Sequence, residues 1–190
     1  MATIPNDTLA IFNQQGFASS IEPQTSGARQ WPPSGVHVNF LDGVVVNPKN
    51  KFGYGSGAGR VTMEVPSVSF KFTWVEDPEV TAGAKTSGLE WESDAVYILT
   101  EAQFRGLPEN QRKRVEIAYA RLLGSFTSLL GRKVTMPEIG ALIGTVNDAT
   151  QGDTPLQVRV YVKNEPNKKD SKYQDQEAQI RELVSGVISA

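Results

Sequence analysis

Aromatic and cationic side chains come together at several places in this sequence, a pairing suited to a polyanion that carries flat rings. In NPKNKFGYGSGAGR, residues Asn47 to Arg60, the cations Lys49, Lys51 and Arg60 flank Phe52 and Tyr54. In QVRVYVKN, Gln157 to Asn164, Tyr161 lies on the same side of an alternating pattern as Arg159 and Lys163. The following run, EPNKKDSKY, brings Lys168 and Lys169 close to Tyr173. Cations neutralise backbone phosphates and release counterions. Aromatic faces stack on bases whatever the sequence, at ~1 to 3 kcal/mol each. The expected stacking set is therefore Phe52, Tyr54, Tyr161 and Tyr173, with Trp74 in reserve. The expected phosphate set is Lys49, Lys51, Arg60, Lys71, Arg159, Lys163, Lys168 and Lys169. The plainer account of each stretch is a hairpin loop or a solvated strand face.

Other chemistry has less support. The 190 residues include no cysteine and a single histidine, His37. Disulfides, thiolate nucleophiles and Cys-based zinc sites are thereby excluded. An enzyme would have to work through carboxylates, lysine or a carboxylate-bound metal. Glu90, Glu92 and Asp94 alternate on a strand-like run and could in principle share a divalent ion, although a solvated strand edge explains them as well. The glycine-rich run lacks the Gly-Lys-Ser/Thr ending of a phosphate loop, and a strand follows it instead of a helix. No metal or other cofactor is expected. A net charge of −2 rules against a uniformly basic protein but permits a local basic groove. No apolar run approaches the ~20 residues needed to cross a bilayer, and the N-terminus shows no basic segment followed by an apolar block. The expected location is a cytoplasm, without membrane contact.

The elements that must position these residues follow from periodicity. Val68, Phe70, Phe72 and Trp74 alternate with Ser69, Lys71 and Thr73, which marks a strand and puts the aromatics on one face. That face is either a sheet interior or a stacking platform. An earlier strand spans Val36 to Val46, with Asp42-Gly43 read as a bulge that bends it rather than as a turn. Pro66 implies an edge or bulge between Val61–Val65 and the rest of its strand. Asn47 to Arg60 reads as a flexible loop. Val96 to Leu99 is a further short strand. Thr100-Glu101-Ala102-Gln103 is a capping box. The main helix runs from about Pro108 to Leu130 on a stripe from Val115 to Leu130 at spacings of three and four, and Gly131 stops it. Met136 to Ile143 repeats the helical pattern briefly, and Thr145 to Thr154 reads as turn-rich. Val158, Val160 and Val162 form the inner side of a later strand. Beyond Tyr173 a strand gives way to a helical or frayed end, since Ile180, Leu183, Val184, Val187 and Ile188 keep helical spacing.

The expected architecture is mainly β with one long helix: a five-stranded antiparallel OB-fold barrel with the amphipathic helix between strands 3 and 4. Residues 1–33 are expected to form a flexible arm, 34–184 the OB-fold nucleic-acid-binding domain, and 185–190 a frayed end. The runs WPPSGVHVNFLDGVVV, LPENQRKRVEIAYARLLGSFTSLLG and VRVYVKNEPNKKDSKYQDQ resemble bacteriophage-encoded single-stranded-DNA-binding proteins with an OB-fold core. The resemblance covers about residues 31 to 180 and rests on element order and local runs. It implies a non-enzymatic protein that coats single-stranded DNA without sequence preference during phage replication or recombination. It also implies self-association on DNA, contact with replication or recombination proteins, and residence in the bacterial host cytoplasm. Many such proteins end in an acidic tail, whereas this chain ends in RELVSGVISA. A small β-barrel can equally serve as a structural or assembly protein of a virion.

Overall fold

The computed structural model describes residues 34–55, 57–75, 90–166 and 174–189. The expected arm over 1–33 therefore lies outside the described residues, as do Lys168, Lys169 and Tyr173. Within them the protein is mainly β, with strands β1 (Gly35–Tyr54), β2 (Val61–Trp74), β3 (Glu90–Glu92), β4 (Val96–Tyr97), β5 (Gln157–Pro166) and β6 (Gln174–Ser185). Helices α1 (Glu101–Arg105), α2 (Glu109–Leu130) and α3 (Ile139–Thr150) lie between β4 and β5 in the chain.

All strand pairings are antiparallel, and their order is β3-β2-β1-β5-β6, with β4 also on β2. The expected closed five-stranded barrel is not observed among the described residues, where the sheet is an open path. The third expected strand is represented by β3 and β4, which pair with β2 and, among the described residues, not with β6. Side chains occupy the free edge of β6 instead. Ala178 N–H donates to Asp94 Oδ1 at 3.3 Å, Ile180 N–H donates to Ser125 Oγ of α2 at 3.2 Å, and Arg121 pairs with Glu177 at 2.5 Å.

The core lies between the inner face of the sheet and α2 and α3. Phe70, Phe72, Val158, Val160 and Ile180 meet Tyr119, Leu122, Phe126, Ile143 and Val146 there, all buried. Each fully buried side chain of this size contributes roughly 1.5 to 3 kcal/mol. Polar groups are buried as well, His37 and Asn39 among them. Asn39 accepts a hydrogen bond from Trp91 Nε1 at 2.9 Å and donates to the His37 carbonyl at 3.2 Å. The His37 ring packs on Trp74 with centroids 4.4 Å apart.

Several local devices work as the sequence implies. Thr100 Oγ1 accepts from Gln103 N–H at 3.3 Å, and Gln103 Oε1 accepts from Thr100 N–H at 2.8 Å, completing the capping box of α1. Gly131 ends α2 in the left-handed region at φ 65°, where glycine pays no Cβ penalty. Asp42-Gly43 is a bulge within a continuous β1, since the register against β2 shifts between Leu41 and Gly43. Pro66 lies opposite a second irregularity between Asn47 and Asn50, where an absent N–H costs no regular ladder bond.

Three expectations are corrected. Asn47 to Arg60 is not a long loop, because β1 continues to Tyr54 by pairing with Val61–Val65 and leaves only the tip, with a 3₁₀ turn at Gly57–Gly59. Thr145 to Thr150 is helical, as the second half of α3. Ile180 onward is strand as far as Ser185. Register shifts leave Arg181 and Val184 without a partner on β5. They turn a two-residue strand period into the three-residue spacing that mimics a helix.

Candidate nucleic-acid interface

β1 and β2 extend past their other neighbours as a two-stranded ribbon. β5 pairs with β1 only over Gly35–Phe40, and β3 and β4 pair with β2 only between Ser67 and Thr73. Residues 50–54 and 61–65 therefore pair with each other and with no further strand among the described residues. The two faces of this ribbon differ in chemistry. Phe52 and Tyr54 share one face, opposite Met63 and Val61. Phe52 packs edge-on against Tyr97 of β4 at 5.3 Å between centroids, and lies 6.1 Å from Tyr54. These rings are half-buried, so each is seated on the core while keeping one part exposed. Lys51 points to the other face. The Arg60 guanidinium lies on that face too, because a Cβ on Gly53 would come within 3.4 Å of its Nε and Nη2. Lys49 sits in the irregularity at the base of the ribbon.

Lys49, Lys51 and Arg60 are exposed and form no ion pair among the described residues. The single carboxylate on the ribbon is Glu64, opposite Lys51. The same lysines, with Pro48 and the irregular register, also blunt a free sheet edge against pairing with another chain. That role leaves their charge available.

The outer face of the sheet differs in its charge balance. Val36 stands opposite Tyr161 and Val38 opposite Arg159, with Lys71 further along beside Gly43. Val36 and Val45 are 44 % and 39 % exposed, an apolar strip on the central strand where a solvated face is ordinarily polar. Arg159 pairs with Glu182 at 2.5 Å, Lys71 with Glu90 at 2.6 Å, and Lys163 with Glu165 at 3.3 Å. The Glu90 carboxylate, by its hydrogen bond and charge, holds the Lys71 pKa above the ordinary lysine value. These three cations are neutralised locally, although exposed pairs are worth only ~0 to 1 kcal/mol each and can be exchanged for phosphate. Tyr161 is half-buried, with the Arg181 guanidinium 5.1 Å from its ring centroid.

The structure thus gathers Lys49, Lys51, Arg60, Phe52 and Tyr54 on one ribbon, and Arg159, Tyr161 and Lys163 along β5. Trp74, the reserve stacking residue, is 3 % exposed and presents no face to a base; it belongs to the core with Phe70 and Phe72. Glu90, Glu92 and Asp94 are engaged separately. Glu90 holds Lys71, Glu92 accepts from Ser69 Oγ, and Asp94 accepts from Ala178 N–H. Among the described residues no three acidic or histidine side chains converge as metal ligands would. Two site residues escaped the sequence reading. Tyr97 alternates with Val96 and Ile98, a signal that was available. Arg181 sits at a bulge of β6, which no local pattern announces. Among the described residues no helix is long and apolar enough to cross a membrane.

The fold and site define a mainly β protein with an open antiparallel sheet and a cationic two-stranded ribbon. Comparison with protein-family models, curated proteins and solved structures finds no significant match to the chain.

Proposed function

We propose that the protein binds single-stranded DNA without sequence preference, as do the phage-encoded proteins its sequence resembles. The observation that carries this reading is the β1–β2 ribbon, with three exposed cations that form no ion pair among the described residues and two aromatic rings held on a two-stranded scaffold. Lys49, Lys51 and Arg60 would contact phosphates, while Phe52, Tyr54 and Tyr161 would meet bases. Arg159, Lys71 and Lys163 would join only by exchanging a carboxylate for a phosphate. The strand order supports a partly open barrel of the OB type, in which α2 and side chains fill the gap between β4 and β6. Coating of DNA during phage replication or recombination in the host cytoplasm, self-association on the strand and contact with replication proteins belong to the same proposal.

Amide chemical-shift mapping tests the site. Adding an oligothymidylate should perturb residues 49–54 and 60–63 together with Tyr161. Perturbation confined to other surfaces would refute this placement. Assembly into large particles without DNA would favour the virion protein instead, with the apolar strip at Val36 and Val45 as its contact.

A further inference from the structure

β1 parts from β5 at a built junction, ahead of the second irregularity at the base of the ribbon. Within β1, residues up to Phe40 pair with β5, and Leu41 N–H still donates to the Leu156 carbonyl at 2.8 Å. Beyond that point the β5 side of β1 has no strand among the described residues, and one side chain of α3 takes its place. Asn147 Oδ1 accepts from Val44 N–H at 2.6 Å, and Asn147 Nδ2 donates to the Val44 carbonyl at 3.0 Å. The amide thus reproduces the two-point contact that a neighbouring strand residue would make. It acts next to the bulge, the point at which the strand bends.

The rest of the junction is fitted to this contact. Gly43 has φ 156°, and a Cβ there would lie 3.2 Å from Asn147 Oδ1. A side chain at 43 would therefore strain the backbone and press on the clamp. Asp42, the residue left unpaired by the register shift, accepts from Thr73 Oγ1 of β2 at 2.8 Å. The helix that presents Asn147 is itself seated through buried Ile139, Leu142, Ile143 and Val146. Both sides of the bulge are pinned, one to β2 and one to α3.

We infer that Asn147 is the positioning residue that fixes the angle at which the cationic ribbon leaves the sheet. Its link to nucleic acid rests on the function proposed above; its effect on ribbon orientation does not.

Residual dipolar couplings of the 190-residue chain test the orientation. In the natural protein the amides of 50–54 and 61–65 should fit one alignment tensor with those of 67–73 and α2. In Asn147→Leu, which keeps volume and loses both hydrogen bonds, the ribbon amides should depart from that tensor. The Val44 amide should also exchange about tenfold faster, as expected for one lost hydrogen bond. Gly43→Ala, which disturbs the same contact from the other side, should reproduce the departure and carries the test if Asn147→Leu does not fold. Couplings that still fit a single tensor in the folded variants would overturn the inference. A second arm measures affinity. Asn147→Leu should weaken oligonucleotide binding and flatten its salt dependence, and should cost clearly less when added to Lys49→Ala, Lys51→Ala and Arg60→Ala than it does alone. Fully additive losses would overturn the link to binding. If the natural protein binds no oligonucleotide, the functional reading fails and the couplings alone decide the role of Asn147.

Discussion

Removing the three ribbon cations together, as Lys49→Ala, Lys51→Ala and Arg60→Ala, gives the most quantitative consequence of the structure. Each phosphate neutralised on a single strand contributes about 0.7 to the slope of log K against log salt. Three such contacts predict a slope shallower by about 2 in the triple variant. Between about 50 and 200 mM salt, a slope of that size corresponds to a roughly 20-fold change in affinity. The natural protein should therefore lose about 20-fold more affinity over this range than the variant does. Stability should hardly move. All three side chains are exposed and form no ion pair among the described residues, and such substitutions ordinarily stay within about 0.5 kcal/mol. Fluorescence anisotropy of a labelled oligothymidylate at several salt concentrations, with thermal melts of both proteins, reads both quantities. An unchanged slope in the variant would refute the assignment of phosphate contacts to the ribbon.

Other positions separate binding from folding. Tyr161→Ala should weaken single-strand binding by about 1 to 3 kcal/mol, one stacked base. The loss of its contact with Arg181 should lower stability by no more than about 1 kcal/mol; equal losses of both would make Tyr161 a core residue. Tyr119→Phe should destabilise by about 1 to 3 kcal/mol in a denaturant melt, because the Tyr119 hydroxyl oxygen accepts from Leu99 N–H at 2.9 Å in the core. Burial pushes the Tyr119 pKa well above its ordinary value. Its contribution is thus fully present below about pH 10, the unfolded value, and is lost as the pH rises above it. The Phe variant should lack that alkaline loss, and identical alkaline profiles would contradict the assignment. Asn39→Leu should cost about 1 to 3 kcal/mol by removing the acceptor of buried Trp91 Nε1, and an unchanged melting temperature would show that Trp91 finds another acceptor.

What the sequence revealed depended on the range of the interaction responsible. The capping box at Thr100 and the stop at Gly131 are fixed by residues within a few positions of one another, and both could be read directly. The second half of α3 could not. Thr145, Asn147 and Asp148 look like turn residues, and what justifies Asn147 is a backbone 103 positions away. The end of the chain misled for a geometric reason, since the two bulges of β6 give a strand the spacing of a helix. Among the described residues the barrel stays open between β4 and β6, where Asp94, Arg121 and Ser125 meet β6 from other parts of the chain, contacts that no hydrophobic pattern announces. In the candidate site the residue types were legible but their electrostatic state was not. Arg159 and Arg60 look alike in sequence; only the fold places Glu182 against one and, among the described residues, no carboxylate against the other.

The central claim is that this ribbon serves a single nucleic-acid strand. Anisotropy titrations of the natural protein with single-stranded and duplex oligonucleotides of several sequences, each across a range of salt, test it most directly. Tight, sequence-tolerant binding to the single strand, weaker binding to duplex and a steep salt slope are the predicted result. Absence of binding to the single strand even at low salt would contradict it.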